Sequence, residues 1–157
     1  MIFVAVGTQF PFDRLIRCVD EWAASTGQSV VAQIATGEYE PSHADWERFM
    51  ATDTFNRHLA AADLIISHAG MGNIITALEH RKPIIVMNRQ HELGEHRNNH
   101  QADGLAWMGR LPGVYTARNC EALRRLLARM TELKPADAIT TARRQRLIDF
   151  IDRAIGT

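Results

Sequence analysis

One short loop in the sequence has the composition of an anion-binding site. The letters S-H-A-G-M-G-N occupy residues 67–73, between an apolar run typical of a strand and a run with helical spacing. Glycines let the backbone approach a ligand, while the free N–H groups and the dipole at a helix start face an anion. Two interpretations stay open from the loop alone: a phosphate cradle, or a tight turn whose glycines solve only a backbone problem.

This loop differs from the two common nucleotide-binding motifs. Gly70 and Gly72 supply G-x-G, but Ile75 stands where the dinucleotide fingerprint has its third glycine, and no Walker A sequence occurs in the chain. Glu79 follows Gly72 by about two helical turns and shares the face of the helix start. A carboxylate there can accept the two hydroxyls of a ribose, or it is only a solvated surface charge.

A polar stretch at residues 89–101 is rich in histidine. Its histidine spacing does not fit a metal: His91 and His96 are five positions apart, Gly94 interrupts any helix, and the motif H-E-x-x-H is absent. We therefore expect no metal and no cofactor. The residues that close the stretch are suited to hydrogen bonding of hydroxyl groups, or form a polar loop with capping residues: Asn98, Asn99, His100 and Gln101.

A serine hydrolase is not expected. Ser67 and His68 are neighbours, but no G-x-S-x-G elbow is present, and adjacent residues rarely aim at each other from one strand end.

Length, composition and charge exclude several classes of protein. The chain has 157 residues, of which 46% are hydrophobic and 23% charged, as expected for a single globular domain over residues 1–157. Lys plus Arg and Asp plus Glu both total 18, so no global field attracts nucleic acid, and any anion must be bound locally. The opening apolar run of six residues is too short for a signal peptide or a membrane span. Cys18 and Cys120 lie far apart in helical patterns, which predicts neither a metal quartet nor a secreted disulfide framework and favours a reducing cytoplasm.

Strand-like and helix-like segments alternate along the chain. Strands are predicted at 2–6, 29–34, 46–50, 63–67, 84–87 and 113–116, and helices at 12–22, 54–62, 73–80, 100–108, 120–133 and 141–155. This alternation predicts a doubly wound, mostly parallel α/β sheet, whose loops 7–11, 68–73 and 88–99 share the rim where such sheets bind ligands. The last helix is amphipathic and packs on this sheet, on a partner or on a membrane.

Four segments together resemble a known family. They are G-T-Q-F from Gly7, A-D-L-I-I-S-H-A-G-M-G-N from Ala62 with the downstream Glu79, K-P-I-I-V-M from Lys82, and N-H-Q from Asn99. Over about residues 1–130 the chain resembles the carboxy-terminal, donor-binding half of glycosyltransferase family 28. Its start, V-G-T-Q-F-P-F-D-R-L, is similar to stand-alone catalytic subunits of split enzymes that act on dolichol-linked chitobiose or in bacterial exopolysaccharide synthesis. The resemblance implies a Rossmann-like fold, one half of a GT-B glycosyltransferase.

The resemblance implies a UDP-sugar site. The backbone amides of Gly70, Met71, Gly72 and Asn73 would surround the diphosphate, with Gly7 and Thr8 beside the phosphates. His68 would belong to the same site as a binding or orienting residue at the rim. Glu79 would hold the ribose hydroxyls, and Phe49 and Met50 lie near the segment that contacts uracil in the family. The residues that would hold the sugar are Asn99, His100 and Gln101, and relatives often have Asp at the first of these positions.

The resemblance also implies a partner. The family catalyses between two Rossmann-like domains, one for the donor and one for the acceptor, and this length supplies one of them. We expect a membrane-associated subunit that binds a lipid-linked glycan acceptor and supplies the general base, so the catalytic residue in this chain is unknown. The protein would lie at the cytoplasmic face of the inner membrane through that subunit, and the arginine-rich helix 141–155 would dock on it.

The resemblance thus implies the catalytic, UDP-sugar-binding subunit of a two-component inverting glycosyltransferase. It would transfer a hexose, a hexuronic acid or GlcNAc in exopolysaccharide synthesis, without a metal, because amide N–H groups and a helix dipole can stabilise the leaving diphosphate. Two alternatives stay open. One is a non-catalytic accessory subunit that binds a nucleotide sugar, and the other is an unrelated enzyme that uses NAD, which the missing third glycine disfavours.

Overall fold

The computed structural model describes residues 1–7, 10–88 and 111–135, together with Asp149. Within these ranges strands and helices alternate as β1 (Ile2–Ala5), α1 (Asp13–Thr26), β2 (Val30–Gln33), β3 (Asp45–Glu47), α2 (Thr52–Ala61), β4 (Leu64–His68), α3 (Met71–Glu79), β5 (Ile84–Met87), β6 (Val114–Ala117) and α4 (Cys120–Ala128), before a 3-10 turn at Met130–Glu132. Every element predicted within these ranges is present, and most of them have shifted ends.

The described strands form one parallel sheet in the order β3-β2-β1-β4-β5-β6. In the middle of this sheet, Val4 of β1 pairs with Ala32 of β2 and with Ile66 of β4. The order reverses direction between β1 and β4, as in doubly wound folds. The predicted parallel, doubly wound sheet is therefore confirmed.

Helices cover both faces of the sheet. Ile2 and Val4 of β1 belong to the core that includes residues of α1 and α4, whereas Phe3 and Ala5 belong to the core that includes residues of α2 and α3. All four are at most 1% exposed. Successive strand residues point to opposite faces, so a strand that is apolar at every position must be buried on both sides.

Local hydrogen bonds determine where two of the helices begin and end. α1 continues past the predicted residue 22 to Thr26. The next residue, Gly27, ends the helix: its φ is 74°, and its amide bonds to the Ala23 carbonyl at 2.8 Å. α4 begins where Asn119 Oδ1 accepts the Ala122 amide at 2.8 Å. It ends at Ala128, before the predicted residue 133, because the chain then tightens into the 3-10 turn.

The structure corrects the prediction made from the two cysteines. Cys18 of α1 and Cys120 of α4 form a disulfide although 102 residues separate them in sequence. The crossovers place α1 and α4 in contact on one face of the sheet, which brings the two sulfur atoms together. Disulfides are rare in reducing compartments, so the cysteines no longer support a cytoplasmic location.

Several predicted segments lie outside the described residues. They are the loop from residue 89 to residue 99, the helix 100–108 and the amphipathic helix 141–155. Among the helices that the structure describes, none is both long and apolar enough to cross a membrane.

One buried carboxylate holds the connection between β2 and β3. Asp20 of α1 is 2% exposed and accepts hydrogen bonds from the Tyr39 hydroxyl at 2.6 Å and from the amides of Ser42, His43 and Ala44 at 2.9, 2.9 and 3.0 Å. Burial alone would raise the pKa of Asp20, but the bonds from Tyr39 and the three amides outweigh it and lower the pKa. The hydrogen bond from the Tyr39 hydroxyl to Asp20 raises the pKa of Tyr39 to about 12.

We expect Asp20→Asn to destabilise the fold and to change its response to acid. Because the pKa of Asp20 is lower in the folded chain, the ionised carboxylate stabilises the fold above about pH 4, and this contribution is lost as the pH falls through the folded-state pKa. The free energy of unfolding at pH 7 should fall by about 2–4 kcal/mol, since an amide cannot accept all four bonds.

Urea unfolding between pH 3 and pH 7 measures both effects. Asp53→Asn, a change at an exposed position in the first turn of α2, is the matched control and should change stability by less than about 1 kcal/mol. Equal stabilities for Asp20→Asn and the unchanged chain at pH 7 would contradict the assigned role.

Candidate functional site

The loops after β1 and β4 leave neighbouring strands at the same edge of the sheet. The chain passes from β1 towards β2 and from β4 towards β5, so the two loops diverge from a shared strand pair. Doubly wound sheets bind ligands in the crevice that such a divergence opens. The structure thus brings Gly7 and residues 68–73 to one place, as the sequence predicts.

The imidazole ring of His68 lies between two glycines in this crevice. A methyl group on Gly7 would lie 3.0 Å from His68 Cε1, and one on Gly70 would overlap His68 Nε2. Gly7 also has a positive φ of 82°, which favours glycine. The two glycines therefore make room for a side chain of the protein itself, a reason that the loop sequence alone does not reveal.

Hydrogen bonds fix the backbone around His68. The side-chain Nδ2 of Asn73 donates to Ser67 Oγ at 2.9 Å, and that hydroxyl donates to the His68 carbonyl at 2.7 Å. The Gly70 amide bonds to the same carbonyl at 2.7 Å. Ser67 is fully buried and its proton is engaged by a carbonyl, so this geometry gives no support to a serine nucleophile.

The start of α3 presents three backbone N–H groups. The amides of Met71, Gly72 and Asn73 donate to no acceptor among the described residues, whereas the next amide, of Ile74, bonds to the Gly70 carbonyl at 3.3 Å. A methyl group on Gly72 would meet no atom of the described residues within 4 Å, so they leave the space beside it open. Unpaired amides and the positive end of a helix dipole are the groups that bind phosphate.

The segment after β3 supplies an aromatic side chain at the same edge. Phe49 is 55% exposed, unlike the half-buried Met50, which packs against the core beside α2 and α3. β3 lies three strands from β4 in the sheet, which corresponds to about 14 Å at ordinary strand spacing. Phe49 and the start of α3 thus offer a ligand two separate points of contact at one edge of the sheet.

Glu79 is not adjacent to the other predicted residues. It is the exposed last residue of α3, about 12 Å along the helix axis from Met71. Thr76 lies one turn nearer the helix start, and its hydroxyl donates to the Gly72 carbonyl at 2.7 Å. Binding of ribose by Glu79 stays a prediction that requires a ligand extended along α3.

Four predicted site residues lie outside the described residues: Thr8, Asn99, His100 and Gln101. Among the described residues, no three His, Cys, Asp or Glu side chains are grouped so that they could hold a metal ion.

Two side chains at this edge do not figure in the sequence prediction. Gln33, at the end of β2, donates to the carbonyls of Gly7 and Arg48 at 2.8 and 3.0 Å. Arg14 of α1 donates to the Asn88 carbonyl at 3.0 Å, where β5 ends. In the sequence, Gln33 stands out as the one polar residue at the end of an otherwise apolar strand. Its hydrogen-bond partners depend on the strand order, which the sequence does not show.

Sequence comparison identifies the family that the chain matches. The glycosyltransferase family 28 C-terminal domain matches residues 1–145. The UDP-N-acetylglucosamine transferase subunit ALG13 of Homo sapiens is 34% identical over 65% of this chain, and that of Mus musculus is 33% identical over 63%. These matches cover 10% and 9% of the relatives, so the chain corresponds to about a tenth of their length.

Solved structures share the fold. The solution structure of ALG13 aligns with a TM-score of 0.65 at 20% identity, over 99% of this chain and 95% of that one. CalG4, the calicheamicin glycosyltransferase, aligns with a TM-score of 0.54 at 18% identity, over 99% of this chain and 39% of that one. The predicted Rossmann-like fold, one half of a GT-B glycosyltransferase, is confirmed.

We expect Gly70→Ala to destabilise the chain because the new methyl group displaces the His68 ring. The φ of Gly70 is −107°, which suits any residue, so the loss reports the contact with the ring rather than backbone strain. The free energy of unfolding should fall by about 1–3 kcal/mol. Gly72→Ala, where space is open and the residue is helical, should leave the free energy of unfolding unchanged or raise it by up to about 1 kcal/mol.

The double variant His68→Ala/Gly70→Ala tests the cause. Removal of the ring makes room for the methyl group, so the cost of Gly70→Ala should shrink in the His68→Ala background when urea unfolding is measured for all four chains. The same cost in both backgrounds would show that the ring does not set this constraint.

Proposed function

Since the chain belongs to the family of glycosyltransferase family 28 C-terminal domains, we propose that it binds the UDP-sugar donor of a two-component glycosyltransferase. The observation that carries this proposal is the group of three N–H donors at the start of α3, beside the His68 ring at the switch point of the sheet. The printed name of the human relative, a UDP-N-acetylglucosamine transferase subunit, supports a UDP-sugar donor and an assembly with more than one chain.

The diphosphate binds at the start of α3. Met71, Gly72 and Asn73 donate main-chain hydrogen bonds to it, and Gly7, Thr8, His68 and Gly70 border it. As the bond between the anomeric carbon and the diphosphate oxygen breaks, negative charge grows on the leaving UDP. Amides and a helix dipole that are already in place stabilise this charge without reorganisation, so no metal is required.

Other contacts bind the remaining parts of the donor. Phe49 and Met50 contact the uracil, and the exposed ring of Phe49 is suited to packing against a flat base. Glu79 accepts the ribose hydroxyls when the nucleotide extends along α3. The sugar is held by Asn99, His100 and Gln101.

The acceptor binds to another chain. The described sheet supplies a single crevice at its switch point, whereas catalysis in a GT-B architecture occurs between two such domains. We propose that a membrane-associated subunit binds a lipid-linked glycan and carries the general base that deprotonates its hydroxyl. The chain would then work at the cytoplasmic face of the inner membrane through this subunit, with inversion at the anomeric carbon.

We favour a catalytic subunit for exopolysaccharide synthesis over an accessory one. The amides that bind the diphosphate would also stabilise the charge that grows on it as it leaves, so the same contacts would serve both binding and bond cleavage. The donor sugar is a hexose, a hexuronic acid or GlcNAc, and the name of the curated relative favours GlcNAc among them.

Calorimetric titration of the purified chain tests donor binding. We expect saturable binding of UDP and of one among UDP-GlcNAc, UDP-glucuronic acid and UDP-galactose, and none of NAD, for which the fingerprint is incomplete. Absence of UDP binding at saturating concentration would overturn the proposed function. UDP release in membranes with a coexpressed partner then separates the two kinds of subunit, because binding without turnover favours the accessory one.

The role of Glu79 has its own test. Glu79→Ala should weaken UDP binding by about 1–3 kcal/mol through loss of charged hydrogen bonds, while the domain stays folded. Glu121→Ala on α4, an exposed glutamate that pairs with Arg125 on the other face of the sheet, is the matched control and should bind UDP normally. If both variants bind UDP as the unchanged chain does, Glu79 lies outside the site.

A further inference from the structure

The side chain of Gln33 joins two loops at the ligand-binding edge of the sheet. It is 3% exposed and makes three hydrogen bonds. Its Oε1 accepts the Val6 amide at 3.3 Å, and its Nε2 donates to the Gly7 carbonyl at 2.8 Å and to the Arg48 carbonyl at 3.0 Å. Gln33 therefore links the loop after β1 to the segment after β3.

The chemistry of a primary amide suits this link. It offers an acceptor oxygen and two N–H donors, and here the two hydrogens serve carbonyls from two different loops. The orientation of the amide follows from its neighbours, because the Val6 N–H requires an oxygen and the two carbonyls require donors. A buried polar group whose partners are all present holds its surroundings in one arrangement.

The first of these loops shapes the phosphate side of the crevice. Gly7 has its carbonyl held by Gln33 and its Cα against the His68 ring, where a methyl group would lie 3.0 Å from Cε1. A shift of the Gly7 backbone would change the surface against which the His68 ring packs. The ring in turn borders Gly70, from which α3 begins.

The second loop presents the exposed aromatic side chain. The Arg48 carbonyl accepts the Ala35 amide at 2.8 Å as well as the Gln33 side chain, and the Arg48 guanidinium donates to the Gly37 carbonyl at 2.7 Å. Phe49 is the next residue and is 55% exposed. Its ring thus projects from a backbone that Gln33 helps to hold.

We propose that Gln33 is a positioning residue that fixes the spacing between the base contact at Phe49 and the diphosphate contacts at the start of α3. The inference rests on the proposed function and adds to it a determinant of nucleotide affinity that touches no part of the donor. A nucleoside diphosphate makes both contacts at once only when their spacing matches its own length. A fragment that makes one contact does not depend on this spacing.

Three probes test the proposal: UDP, uridine and inorganic pyrophosphate, each titrated by NMR chemical shift. In Gln33→Met, which has a similar shape but no hydrogen bonds, UDP affinity should fall by about tenfold or more, while the affinities for uridine and pyrophosphate change by less than about threefold. Gln28→Met, at an exposed position before β2, is the matched control and should bind all three as the unchanged chain does.

A second variant removes the two donors and keeps the acceptor. Gln33→Glu keeps the length of the side chain and the acceptor for the Val6 amide, but its carboxylate cannot donate to the two carbonyls. It should show the same selective loss of UDP affinity, and thermal unfolding is recorded for each variant.

The outcomes separate the two levels of inference. If the unchanged chain does not bind UDP, the proposed function fails. If it binds UDP but the Gln33 variants bind UDP equally well, the positioning role fails alone. Equal losses for all three probes would show that Gln33 only supports the fold, which also overturns the proposal.

Discussion

The rest of the site depends on the packing of the His68 ring between Gly7 and Gly70. Parallel pairing of β1 with β4 brings Gly7 to the base of the loop that carries this histidine. The ring occupies the space that two side chains would otherwise fill, and the chain then turns at Gly70 directly into α3. Ser67 and its partner Asn73 lock this turn with hydrogen bonds. The three amides at the start of α3, which donate to no acceptor among the described residues, thus follow a turn that these contacts hold in place.

The structure divides recognition between main chain and side chains. Amides at a helix start recognise charge and shape, and they are present whatever the side chains are. Selectivity for a base or a sugar must therefore come from side chains around the crevice, such as Phe49. Because acidic and basic residues balance at 18 each, long-range attraction contributes little, and an anion is recognised only after it enters the crevice.

The periodicity of apolar residues and the turn residues were sufficient to predict the sheet and the position of its loops, because both signals are local in sequence. β5 occupies the predicted residues 84–87, and the loop at 68–73 lies at the switch point. Contacts between distant segments were not predictable in this way. The bonds of Gln33 and the Cys18–Cys120 pair depend on which helices and loops the crossovers bring together. Asp20 lies in an amphipathic helix among charged neighbours, and only the fold of the following connection shows that it is buried.

The disulfide has a topological consequence for the whole sheet. It closes residues 18–120 into a covalent ring that contains β2 to β6, while β1 precedes the ring and inserts between two of its members, β2 and β4. A single proteolytic cut inside this ring would leave one molecule rather than two fragments. When the cut falls between β2 and β4, the inserted strand would bridge its two sides, so the nicked chain retains both its connectivity and its central strand pairings.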